Sequence, residues 1–279
     1  MTTCTVGDRT LAYGRMGEGP PLVVVNGFAA TRDDWDPTFL AGLAQLHELV
    51  LLDNRGMGES PDDGLAFTVD DLAADVAGVI DALGLSRPAL LGWSMGGCVA
   101  LALALSHPGK VSKLVLLSTS GGGELGVPAD PEVLARLRDV SGTPREQASR
   151  LIALLFPPER AAAVDAEFGE NVAAARSQLS PDLLGRQWQA LEGWEQRDAS
   201  DVARISCPAL VATGEEDAVF PPPNASALAN AIPSAWLASF PNCGHGFMAD
   251  HPETLAALIR TFLAVDGRGG RNAGDDGGR

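Results

Sequence analysis

The fold class predicted for this chain is α/β: a mostly parallel sheet of eight strands with helices on both faces. Three observations predict it. Short apolar runs recur, from Leu22-Val23-Val24-Val25 to Ala209-Leu210-Val211-Ala212, unbroken as in strands buried on both faces. Helical patterns stand between them, and strands alternating with helices imply parallel pairing. Apolar residues make up 46% of 279 positions, enough for one large core of this kind.

Taken in order, Thr3 to Tyr13 alternates about Gly7-Asp8 and reads as a hairpin. Leu22–Val25 and Glu48–Asp53 follow as strands. Thr68-Val69-Asp70-Asp71 has the capping-box pattern, in which a hydroxyl and an acid three residues on satisfy each other's backbone N–H. A helix is therefore predicted from there through Val76 and Ile80 to Gly84. Ala89–Trp93 and Lys113–Ser118 are strands on either side of an alanine-rich amphipathic stretch, Val99–Leu105. Late in the chain come strands at Ala209–Ala212 and Ala235–Ala238, a helix over Ala225–Ala231 between them, and a closing amphipathic helix over Thr254–Leu263.

Between Gly121 and Asp201 the strand signal vanishes. Asp130-Pro131, Thr143-Pro144 (with Glu146 closing a capping box) and Ser180-Pro181 each set a capping residue before a proline at the first helical position. Their apolar faces, such as Leu151/Leu154/Leu155 and Leu184/Trp188/Leu191, need a surface to cover. The expected organisation is a core from residues 1–120 and 201–265, with a helical cap of 121–200 inserted after the sixth strand. That cap would lie over the strand edge where ligands bind in such sheets. Residues 266–279, nearly all Gly, Asp, Arg and Asn, are expected to form a disordered tail.

Charge narrows the partners. With 36 acidic residues against 20 basic, a net −16, the chain repels a phosphate backbone, which argues against nucleic acid. The four cysteines (Cys4, Cys98, Cys207, Cys243) show no Cys-x-x-Cys spacing, and Cys98 and Cys207 read as small core residues in a reducing compartment. Met1-Thr2-Thr3-Cys4 has no basic or apolar leader, and no run approaches membrane-spanning length. The expectation is a cytoplasmic monomer or homodimer with no membrane partner.

The chemistry begins at Leu90-Leu91-Gly92-Trp93-Ser94-Met95-Gly96-Gly97-Cys98. Strand, sharp turn and helix would project the Ser94 hydroxyl from the sheet edge. Gly92 and Gly96 let strand and helix approach, and the helix from Met95 aims unpaired N–H groups at the same spot. A Gly-x-Ser-x-Gly string also arises by chance; its flanking strand and helix are what single it out. A serine nucleophile needs a base, and the base an orienting carboxylate. Of four histidines, His47 precedes a strand, His107 precedes Pro108 at a helix end, and His251-Pro252-Glu253 reads as a helix start. His245 lies in the glycine-flanked loop Asn242-Cys243-Gly244-His245-Gly246-Phe247 after the last strand and is the predicted base. The acid should come from Thr213-Gly214-Glu215-Glu216-Asp217, directly after a strand. Periodicity does not separate its three carboxylates.

On these residues the chain resembles the α/β-hydrolase superfamily, over roughly residues 5 to 265. Ser94, Asp217, His245 is that family's chain order. Gly214-Glu215-Glu216-Asp217 with Pro221 is similar to its G-x-x-D-x-x-x-P acid loop, which singles out Asp217. Gly244-His245-Gly246-Phe247 is similar to its late G-H loop. Asp53-x-Arg55-Gly56-x-Gly58-x-Ser60 resembles its D-x-R-G-x-G-x-S turn after the fourth strand, a structural loop near the pocket. Asn26-Gly27-Phe28 stands where the family usually carries His-Gly, so by carry-over the backbone N–H groups of Phe28 and Met95 form an oxyanion hole. Asn26 departs from the common histidine, which changes the local hydrogen bonding but keeps the backbone donors. The resemblance implies an eight-stranded α/β-hydrolase sheet with a helical cap, in the serine-nucleophile, esterase- or lactonase-like branch.

The implied reaction is acyl transfer on a carboxylic ester of a small to medium apolar substrate, through an acyl-enzyme. Lactone, thioester or carbon–carbon bond hydrolysis and perhydrolysis use the same triad. A non-hydrolytic ligand-binding protein is the alternative of another class. Serine at the elbow argues against the dehalogenase and epoxide-hydrolase branches, which place an aspartate there. The sequence shows no metal-ligand cluster, phosphate loop or dinucleotide fingerprint, so no cofactor or metal is implied. Trp93, Phe156, Trp188 and Phe247 are the candidates to line the pocket; Phe156, Trp188 and Trp194 suit burial in packing equally well.

Overall fold

In a computed structural model describing residues 2–265, Gly7-Asp8 reverses the chain between β1 (Thr3–Val6) and β2 (Arg9–Met16). The expected tail at 266–279 lies outside the described residues. β3 (Pro21–Val25) is buried at all but its first residue. α1 (Pro37–Ala44) starts on Asp36, whose carboxylate accepts the Phe39 N–H, and β4 (Glu48–Leu52) follows. α2 (Val69–Ala82) begins on the predicted box between Thr68 and Asp71, a device worth about 1 kcal/mol. β5 (Ala89–Trp93) turns at Ser94 into α3 (Met95–Ser106), and β6 (Leu114–Leu117) completes the first half.

Four helices come next: α4 (Pro131–Arg138), α5 (Pro144–Leu155), α6 (Pro158–Arg176) and α7 (Pro181–Glu195). Three of them begin on side-chain caps legible in the sequence: Asp130, the Thr143/Glu146 box and Ser180. The start of α6 was not legible, because Pro157 precedes it and no side chain caps it. β7 (Ala209–Gly214), α8 (Pro223–Ala231), β8 (Ala235–Phe240), α9 (Phe247–Asp250) and α10 (Pro252–Ala264) close the chain.

The eight strands form one sheet in the order β1-β2-β4-β3-β5-β6-β7-β8. β1–β2 and β2–β4 are antiparallel and every later pair is parallel. Strand residues alternate between two apolar layers, as the pleat requires. Val23, Val25, Leu90, Leu114 and Val211 pack toward α2, α3 and α8. Leu22, Val24, Leu91, Val115 and Leu210 pack with Phe39, Leu43, Leu255 and Ile259 of α1 and α10. α3 departs from the amphipathic expectation: every residue from Met95 to Ala104 is buried. Only its last two residues, Leu105 and Ser106, reach water, so there is no polar face to set against the apolar one.

The inserted helices sit on the carboxyl ends of the parallel strands. Leu155 O accepts the N–H of Gly246 in the loop after β8, at 2.9 Å. Trp194 Nε1 donates to Ser120 O just past β6 (3.1 Å), and Arg186 pairs with Asp62 beyond β4 (2.5 Å). Among the described residues, no helix is long and apolar enough to cross a membrane.

Candidate active site

Parallel pairing brings the ends of β3, β5, β7 and β8 to one edge, where the predicted residues collect. Val25 lies opposite Gly92, and Trp93 opposite Leu117. Ser94 follows immediately at φ +58°, ψ −126°, a left-handed conformation costly for any residue with a side chain. Two glycines make the turn feasible. A Cβ on Gly92 would stand 2.2 Å from Gly96 O, and one on Gly96 would stand 2.2 Å from Val25 O. Behind the turn, Ser94 O accepts from Thr119 Oγ1 at 2.7 Å, tying the elbow to the end of β6.

The loop after β8 carries His245, and the loop after β7 carries the acid. His245 Nδ1 lies 2.9 and 3.0 Å from the two oxygens of Asp217; both residues are buried. Asp217 Oδ1 also accepts the N–H groups of Val219 and Phe220, each at 2.9 Å, which fixes the carboxylate as an acceptor. Glu215 and Glu216 are exposed, and the Glu215 carboxylate accepts from Ser239 Oγ. Trp93 Nε1 donates to His245 O at 3.1 Å and its ring lies 5.4 Å from the imidazole, so the residue beside Ser94 holds the His245 loop. Ser94 Oγ itself has no hydrogen-bond partner among the described residues. Such a bond is often loose in ligand-free sites and tightens around substrate.

Two backbone donors are left over at the same edge. Neither Phe28 N–H nor Met95 N–H makes a hydrogen bond among the described residues. The Phe28 loop runs beside the elbow: a Cβ on Gly27 would sit 3.1 Å from Ser94 Cβ. Asn26 explains how that loop is held without the usual histidine. Its Nδ2 donates to Leu52 O (2.5 Å), its Oδ1 accepts from Trp35 Nε1 (2.7 Å), and its own carbonyl accepts from Asn54 Nδ2 (3.2 Å). One buried amide thus joins β3, β4 and the segment before α1.

The turn after β4 is held by hydrogen bonds and ion pairs of its own side chains. Asp53 accepts the Arg32 and Glu59 N–H groups and pairs with the Arg32 guanidinium at 2.9 Å. Ser60 Oγ donates to Asp53 O and accepts from Ala12 N–H. Arg55 and Asp75 form a buried pair at 2.6 Å.

The four pocket candidates fall in different places. Trp188 and Phe28 meet edge to face, centroids 5.8 Å apart, and with Leu137 and Leu184 wall a groove of about 270 Å³ between α4 and α7. Arg138 and Glu192 stand at its rim, with the guanidinium 4.8 Å over the Trp188 ring. Trp93 is half-buried between Trp35 and His245, and Phe156 leans on Gly246. Phe247 corrects the expectation: it is 0% exposed and packs on Phe240, 5.1 Å away, inside the layer beneath α10. Gln187 was not foreseen at all. It is buried in α7 and accepts the Ala29 N–H at 2.8 Å, a contact spanning 158 positions that no local pattern encodes.

Cys98 lies under the elbow, where burial pushes its thiol up to about 12 and keeps it protonated. Burial likewise raises the Glu195 carboxyl, whose Oε2 accepts from Ser120 Oγ at 3.2 Å while Oε1 has no hydrogen-bond partner among the described residues. Among the described residues, no cluster of three or more His, Cys, Asp or Glu could hold a metal ion.

Known proteins match this frame along nearly all of its length. A non-heme chloroperoxidase from Streptomyces lividans is 30% identical over 94% of this chain and 99% of its own. A thermophilic esterase from Thermogutta terrifontis is 29% identical, with TM-score 0.74 over 94% of this chain and 97% of that one. The esterase RhEst1 from Rhodococcus sp. ECU1013 is 25% identical, with TM-score 0.80 over the same shares. The family and these relatives support a hydrolase enzyme. The family model for the alpha/beta hydrolase fold matches residues 20–252, and the chain belongs to that family.

Proposed function

We propose that this protein is a serine hydrolase that cleaves a carboxylic ester, or a related acyl bond, of a small to medium apolar substrate. The observation that carries the reading is the buried Asp217–His245 pair at the same sheet edge as a serine in a strained elbow. Nδ1–H of His245 donates to Asp217, which leaves Nε2 as the base. Nε2 takes the Ser94 proton as Oγ attacks the carbonyl carbon, and the oxyanion is met by the N–H groups of Phe28 and Met95. His245 returns the proton to the leaving alkoxide and an alcohol departs. Water then loses a proton to His245 and attacks the acyl-enzyme, and Ser94 regains its hydrogen as the acid leaves.

In this reading helices α4–α7 act as a cap, and the groove against Phe28 takes an apolar group. The two esterases among the relatives support a hydrolytic reaction.

A chain-length series of para-nitrophenyl esters tests the reading, run beside Ser94→Ala and beside fluorophosphonate labelling. Turnover and stoichiometric labelling in the native protein, both absent in Ser94→Ala, are expected. A native protein that binds these esters without turnover or labelling is a receptor instead. Lactones, thioesters and β-diketones in the same screen separate the variants that share the triad.

A further inference from the structure

Gln187 stands out on α7. The helix's other buried residues are apolar: Leu183, Leu184, Trp188, Ala190, Leu191 and Trp194. Gln187 is 0% exposed among them, and its Nε2 has no hydrogen-bond partner among the described residues. A buried donor without a partner is a cost that a leucine or methionine of similar size would not carry. The amide orientation is not arbitrary, because Oε1 accepts the Ala29 N–H at 2.8 Å and only the oxygen can do so.

Ala29 adopts φ +56°, a left-handed conformation unusual for a residue with a Cβ, so the segment after Gly27 is held against its own preference. Two consecutive contacts hold it. Gln187 bonds Ala29, and the next residue, Trp188, meets the ring of Phe28 edge to face at 5.8 Å. α7 is anchored in turn by Arg186 on Asp62 and by Trp194 Nε1 on Ser120 O. The free N–H of Phe28 is therefore flanked by one ring contact and one hydrogen bond, both from the same inserted helix.

We propose that Gln187 is a positioning residue for the oxyanion donor: through Ala29 it sets where the Phe28 N–H points, so α7 tunes the reaction without touching the reacting atoms. This rests on the hydrolytic reading above. A donor displaced by a fraction of an ångström still admits substrate but serves the transition state less well, so the effect falls on kcat rather than KM.

The test uses the full chain and a para-nitrophenyl ester that the native protein turns over. Gln187→Met should lower kcat roughly 10–100-fold, short of the 10²–10³-fold expected for losing a donor outright, with KM changed less than about threefold. Its melting temperature should stay within a few degrees of native, because the substitution frees one donor at Ala29 and removes another at Nε2. Gln187→Glu keeps an oxygen to accept the Ala29 N–H and should recover part of the lost kcat, its added charge working against full recovery. Gln196→Met, the same change at the exposed C-terminal end of α7 and outside the groove, should leave kcat as it is. Native kcat in Gln187→Met, equal loss in Gln187→Met and Gln187→Glu, or a fall in activity tracking a fall in stability would each overturn the positioning role. Absence of both turnover and Ser94 labelling in the native protein would take down the hydrolytic reading and this role together.

Discussion

His245 and Asp217 are joined at 2.9 Å with the carboxylate already committed to two backbone N–H groups. An asparagine at 217 can keep those acceptor contacts, but its NH₂ would face Nδ1 and favour the wrong imidazole tautomer. Asp217→Asn should therefore lower kcat by about 10³–10⁴-fold. Glu215→Gln and Glu216→Gln, on exposed neighbours, should change it less than about threefold. Steady-state kinetics on one ester decide the matter, and the reverse ranking would displace Asp217 as the acid.

Ser94 carries backbone strain at the elbow. Its φ of +58° costs about 1–3 kcal/mol for a residue with a Cβ, and its Oγ has no hydrogen bond to lose. Ser94→Gly should raise the melting temperature by a few degrees while abolishing fluorophosphonate labelling. Calorimetry that shows a lower melting temperature would mean the elbow is not strained.

The approach of β5, α3 and β3 leaves no slack. A methyl group on Gly96 would stand 2.2 Å from Val25 O, a backbone atom that cannot swing aside. Gly96→Ala should cost at least about 3 kcal/mol, read as a lower urea midpoint at unchanged slope. A midpoint equal to native would place strand and helix farther apart than described.

Glu195 offers a pH-dependent check. Burial raises its folded pKa above the usual carboxylate value, so the folded state holds the proton more tightly than the unfolded chain. The group then supports the fold fully below its unfolded pKa, and that support is lost as pH rises through the folded pKa. Glu195→Gln should melt higher than native near pH 8, by roughly 2–4 °C for each kcal/mol relieved, and close to native near pH 4. A constant difference at both pH values would exclude titration of Glu195 as its source.

Much of this molecule was legible locally. Capping pairs such as Thr68/Asp71 and Thr143/Glu146 act within one turn, and β-branched runs such as Leu22–Val25 declare a strand buried on both faces. The glycine-flanked settings of Ser94 and His245 are equally local, since a cramped turn demands residues without a Cβ. Periodicity stopped at the acid: Glu215, Glu216 and Asp217 share one composition, and only the approach of the β8 loop gives Asp217 the imidazole. Phe247 and Gln187 mark the same boundary from the two sides. An aromatic beside the His245 loop turned out to be core, and a glutamine inside an apolar helix face turned out to grip a loop 158 positions away. Short-range hydrogen bonding and hydrophobic pattern are properties of neighbouring residues and can be read from their order. Which distant groups meet at a sheet edge depends on how whole elements cross, and the tertiary structure alone decides that.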